Sequence, residues 1–152
     1  MKKFFVVLGS IFLFLIILAG VGIGFVVMRG TALDKESKSY ADAAVPAIVT
    51  TWSEKELIDR ASPELKKAVT DERLQRMFRW FASLGPLQKC EPAQGQALMS
   101  ATSQEGKRIS AQYSSKATFQ KGEATIKLGL IKHGDQWQIL NFYVDSPALV
   151  PP

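Results

Sequence analysis

Cys90 and His133 are the only thiol and the only imidazole in the chain. A base-activated thiolate is the simplest chemistry they could perform, and it requires the two side chains within hydrogen-bond reach of each other. His133 lies in Lys132-His133-Gly134-Asp135, which has the composition of a hairpin tip. A buried, inert Cys90 is the default reading. A lone cysteine forms no disulfide within its own chain, although it could pair with another chain in an oxidising compartment. One histidine and one cysteine make no zinc constellation, and nothing in the residues implies a cofactor. Arg73, Arg76 and Arg79 recur on one helical face, where an anion-binding ridge competes with an ordinary solvated face beside Asp71 and Glu72. Phe78, Phe81, Tyr113, Phe119, Trp137 and Tyr143 are the rings available to line a pocket for a small apolar ligand. Ser115 or Asn141 would supply its polar contacts. The same rings also suffice for a dry core.

The elements that must position these residues fall into a helical half and a strand half. Tyr40, Ala44, Ile48 and Trp52 recur every four residues with Val45 and Val49 alongside, one apolar helical face. Pro46 falls inside it, so the helix either begins near Val45 or kinks there. Ser53-Glu54-Lys55-Glu56 matches a capping box and opens a short helix through Ala61. Ser62-Pro63-Glu64 starts another, which runs to about Val69, with proline in its first position. After Thr70, the residues Leu74, Met77, Phe78, Phe81 and Leu84 form a core stripe that ends at Gly85-Pro86. From about Gln96 the period changes to two. Strands are predicted over Gln96–Ser103, Ile109–Phe119, Ala124–Leu130 and Trp137–Val144. Short turns make the neighbours antiparallel. On the last strand the alternation puts Trp137, Ile139, Asn141 and Tyr143 on one face.

Phe4 to Met28 contains no charged residue, and only Ser10 is polar. As a helix this run is roughly 37 Å long, enough to cross a hydrocarbon core of about 30 Å. It is longer than the apolar region of a secretory signal and leaves without an Ala-x-Ala site, so it reads as an uncleaved anchor. Lys2 and Lys3 place the N-terminus in the cytoplasm and the rest outside it, in the periplasm of a Gram-negative cell. Gly20 and Gly24 give a close-packing face for another transmembrane helix. A type IV pilin would need a processing site before the apolar run and a glutamate within it, and neither is present.

The chain has 152 residues, with 19 basic and 14 acidic side chains. Only Lys2 and Lys3 precede the apolar run, so 17 basic residues follow it, a net +3, scattered among the acids. That distribution does not describe a nucleic-acid surface. The organisation is therefore an anchor over 1–29, a polar tether over 30–39, one α+β domain over 40–146 and a Pro-rich tail over 147–152.

Helices followed by a long-stranded meander, the segment around Trp52, the Phe78-Phe81-Leu84-Gly85 turn and the closing Trp137-Gln138-Ile139-Leu140-Asn141-Phe142 together resemble the nuclear-transport-factor-2-like superfamily, the cystatin-like cone. The resemblance implies helices held inside a bent antiparallel sheet, often with a pocket between them. In enzymes of the superfamily an Asp base and a Tyr or protonated-acid donor move a proton next to a carbonyl. The residues available here for such roles are Tyr40, Tyr113, Tyr143, Asp42 and Asp145, and no pair stands out. The superfamily also includes the single-pass inner-membrane subunit of type IV secretion systems, an anchor followed by a periplasmic cone. The expected function is a non-catalytic interaction or scaffold subunit at the membrane, with a protein partner or a second copy bound. Apolar-ligand binding is the alternative, and a proton-transfer enzyme of the ketosteroid-isomerase type comes third.

Overall fold

A computed structural model describes residues 32–103 and 106–149. The chain divides into two units, Met1–Leu33 and Asp34–Pro152. The apolar run Phe4–Met28, with Gly20 and Gly24, lies outside the described residues. Among those described, no helix is long and apolar enough to cross a membrane.

Among the described residues four helices come first. α1 covers 32–49. It takes in residues 32–39, which the sequence had suggested as a tether, and it carries Pro46 in its interior rather than starting there. Lys35, Glu36, Lys38 and Ser39 are exposed while Ser37, Ala41, Ala44, Val45, Ile48 and Val49 are buried, so burial on one side suffices to hold a helix whose other side is charged. Trp52 is not on this helix. It occupies a turn with φ +48, a left-handed conformation that is costly for a bulky residue. α2 (Glu54–Arg60), α3 (Pro63–Ala68) and α4 (Asp71–Ala82) follow in quick succession. Each begins on a hydroxyl that accepts an otherwise unpaired amide: Ser53 from Glu56, Ser62 from Leu65 and Thr70 from Arg73. On α4, Leu74, Phe78 and Phe81 are buried, whereas Arg73, Arg76 and Arg79 are exposed. Gly85, at φ +83, turns the chain out of the helix.

The strands are β1 (Leu87–Cys90), β2 (Gln94–Thr102), β3 (Gly106–Phe119), β4 (Gly122–His133) and β5 (Gln136–Asp145). They form one antiparallel sheet of order β1-β3-β4-β5, and β2 pairs with β3 as well. β1 meets β3 at 117–119 and β2 meets it at 106–114, so the two share one edge of β3 in succession. β1 was not expected, because Leu-Gln-Lys-Cys shows no alternation. The architecture is α+β, helices then antiparallel sheet.

Register fixes which side chains share a face. Tyr113 opposes Leu128, Ser115 opposes Ile126 and Leu128 opposes Phe142, and all five but Ser115 are apolar or aromatic and buried. This is the inner face. The Ser37 and Tyr113 hydroxyls lie 2.8 Å apart, joining α1 to it. Trp52 stacks on Phe119 at 5.2 Å and Phe78 on Phe142 at 6.3 Å, which joins the turn after α1 and α4 to it as well. At the edge of β5, Ser62 N donates to the Ile139 carbonyl at 2.8 Å, beside a parallel bridge from Ala61 to Ile139.

The alternation on β5 is broken. Gly129 opposes Asn141 but Leu130 opposes Ile139, so Leu140 is an extra residue in a bulge. Trp137 and Ile139 face inward before it, and Phe142 faces inward after it. The expectation that Trp137, Asn141 and Tyr143 share a face is corrected by this one residue: Asn141 and Tyr143 are on the outer face.

Candidate functional site

The expected pocket residues separate into three places. Phe78, Phe81 and Phe119 are buried in a ring cluster around Trp52, whose centroid lies 6.4, 5.5 and 5.2 Å from theirs. These rings fill one another's space, at the distances of edge-to-face and offset-stacked pairs. Asn141 and Tyr143 line a groove of about 380 Å³ with Gln94, Gln112, Ser114 and Lys127, which Tyr113 and Leu128 also border. Tyr143 is 60% exposed there. Asn141 lies directly over Gly129, where the missing side chain makes room for its amide. Trp137 belongs to a third place.

That third place is a cleft of about 630 Å³ between α1, the end of α2 and the β4–β5 turn, lined by Glu36, Tyr40, Asp59, Arg60, Asp135, Trp137 and neighbours. Most of its charges are already paired. Lys132 Nζ lies 2.9 Å from Glu36 Oε2 and 5.6 Å from the centre of the Trp137 ring. The Lys132 hydrogen bond and charge hold the Glu36 carboxyl below its ordinary range, and Trp137 adds to that. Asp59 pairs with Lys55, and Arg60 with Glu56. Burial pushes the Tyr40 phenol up, against the opposing charge of Arg60. Glu36, Asp59, Arg60 and Asp135 were not singled out from sequence. Glu36 lay in the presumed tether, and the others look like ordinary solvated helix and turn residues.

The candidates for proton transfer are dispersed and engaged. Asp42 Oδ1 accepts the Ala93 amide at 2.7 Å, and its other oxygen lies 2.6 Å from Lys38 Nζ. Tyr113 donates to the Asp34 carbonyl at 3.1 Å beside Ser37. Asp145 shares the outer face with Tyr143, exposed and 3.8 Å from Lys127. No apolar surface encloses a free carboxylate together with a phenol at any of these positions, the arrangement that such chemistry requires.

Cys90 borders a cleft of about 310 Å³ with Asp42, Glu91 and Ser115. Its sulfur is 3.5 Å from Ser115 Oγ, which donates to the Glu91 carbonyl at 2.6 Å. Cys90 pairs with Ala117, which pairs with Ala124, whereas His133 ends the same strand nine positions on. At about 3.4 Å per residue the thiol and the imidazole are roughly 30 Å apart. His133 instead contacts Glu64 at 3.0 Å. A Cys/His nucleophile is therefore excluded.

No protein-family model and no curated protein matches the chain.

Proposed function

We propose that this protein is a single-pass, membrane-anchored domain that serves outside the cytoplasm as a non-catalytic interaction or scaffold subunit, built as a nuclear-transport-factor-2-like cone. The observation that carries the reading is the division of the aromatic residues. Phe78, Phe81 and Phe119 pack on Trp52 and on one another, so the place where a cone would hold an apolar ligand is taken up by these rings. The recognition groups that remain border two open grooves, one rimmed by Tyr143, Asn141 and Lys127 and the other by Tyr40, Arg60 and Asp135. Open surfaces that mix apolar area with charged and amide groups and an exposed tyrosine suit a macromolecular partner better than a small apolar one. The uncharged run Phe4–Met28 supports anchorage.

The test is site-specific photo-crosslinking of the full-length protein in its own membrane, with the reactive residue at Tyr143 or at Asp135, followed by native mass spectrometry of the detergent extract. A discrete adduct and a stoichiometric protein mass are expected. A bare monomer carrying a small-molecule mass would replace this reading with ligand binding.

A further inference from the structure

We propose that the open edge of β5 pairs with the same edge of a second copy, antiparallel about a twofold axis at Tyr143. The inference rests on the interaction reading above and names a second copy of this chain as the partner at that residue.

The edge is open over one short stretch. Ile139 turns its carbonyl away from β4 and accepts the Ser62 amide at 2.8 Å, so the strand is covered there. Backbone groups on a strand point to its two edges in turn. The bulge adds Leu140, so the residues that turn outward beyond it are Phe142 and Val144. Among the described residues, no backbone hydrogen bond from outside the sheet reaches either of them. The chain after β5 leaves this edge clear. Ser146 Oγ donates to the Glu123 carbonyl at 2.6 Å, Ala148 packs against Gly122 and Leu149 is buried, so 146–149 fold back across the start of β4. Open edges are commonly blunted by lysine or proline, and the stretch from Leu140 to Val144 holds neither.

The stretch complements itself. Outward residues pair with outward residues, which sets Phe142 against Val144 of the second copy and Val144 against its Phe142. Each of these pairs exchanges both backbone hydrogen bonds. Tyr143 then meets Tyr143 on the axis, in a closely spaced pair without hydrogen bonds. Asp145 falls opposite Asn141, so no like charges meet. An aromatic pair on the outer face and aromatic–β-branched pairs on the inner face are favourable cross-strand combinations. Tyr143, 60% exposed in the single copy, loses exposure on the axis. An unrelated strand could take the same backbone bonds. Only a second copy returns a tyrosine to Tyr143 and closes two open edges at once.

The test is disulfide trapping in the full-length chain carrying Cys90→Ser, extracted in mild detergent. Tyr143→Cys sits on the axis, where Cα atoms about 4.5 Å apart suit a disulfide. Asp145→Cys is offset from its own copy by four strand residues, about 14 Å, and is the reference. Oxidation is expected to link Tyr143→Cys roughly tenfold faster than Asp145→Cys. Asn141→Cys and Asp145→Cys in one chain should link two copies where neither does alone. Val144→Pro lacks the outward amide but keeps the bonds to β4, so it should abolish the Tyr143→Cys link at an unchanged unfolding midpoint. Equal rates at 143 and 145, no link at 143, or no link in the Asn141→Cys, Asp145→Cys chain overturns the edge pairing. Native mass spectrometry of the unmodified chain separates this failure from that of the broader reading. A different protein bound in place of a second copy overturns the edge pairing alone, whereas a bare monomer carrying a small-molecule mass overturns both.

Discussion

At Gly129 an added methyl group would overlap the whole amide of Asn141, so the glycine and the asparagine form one fitted pair across β4 and β5. Gly129→Ala is expected to swing Asn141 out of place and cost about 1 kcal/mol, measured by urea unfolding, and Asn141→Ala in the same chain should remove most of that cost. The titrating groups give opposite signs. Glu36 is held below 4.5 by Lys132, so the stability it contributes is present above 4.5 and is lost as pH falls through its lowered value. Tyr40 is raised above 10.0 by burial, so its contribution is present below 10.0 and is lost as pH rises through the raised value. Glu36→Gln should flatten the acid limb of a stability–pH curve, and Tyr40→Phe the alkaline limb, each leaving the other unchanged. None of these pairings was readable in the sequence, because each joins residues whose neighbours in the chain give no sign of the partner.

The elements were more legible. α2, α3 and α4 announce themselves by Ser53, Ser62 and Thr70, since a hydroxyl before an apolar period marks an amide that needs an acceptor. β2 to β5 follow from their alternation. β1 and the first part of α1 were missed for the same reason: Leu87–Cys90 and residues 32–39 are mostly exposed, so burial leaves little period to read. The bulge at Leu140 was also hidden, because strict alternation fits apolar residues on either side of it equally well. At this scale α1 acts as the cover of the β2 edge, which is otherwise uncharged from Gln94 to Thr102 and open to pairing. Asp34→Ala should raise amide exchange at Ala97 roughly tenfold to a hundredfold, and Asp42→Ala should do so at Ala93, with the central β3–β4 amides unchanged.

For the molecule as a whole, the boundary at Leu33/Asp34 predicts independence of the second unit. A chain shortened to begin at residue 32 should unfold in one cooperative calorimetric transition at the same midpoint as the corresponding transition of the full-length protein, because the ring cluster, the sheet and the Asp34 contact are all retained. A broad or lowered transition would show that residues before 32 contribute to the core. The class of architecture was legible from the order of periods alone. The site was not, because register across strands decides which faces the aromatic residues occupy, and a single inserted residue reverses it.

Asp34 and Asp42 also set a ruler. Eight helical residues advance about 12 Å, and the four strand residues from Ala93 to Ala97 advance about 13.6 Å. The two lengths agree to within about 2 Å. An insertion or deletion between Asp34 and Asp42 turns one carboxylate about 100° away from its amide, and one between Ala93 and Ala97 points the amide to the other side. Length should therefore be fixed in both stretches of any descendant of this chain that keeps the edge closed, while their exposed side chains are free to drift.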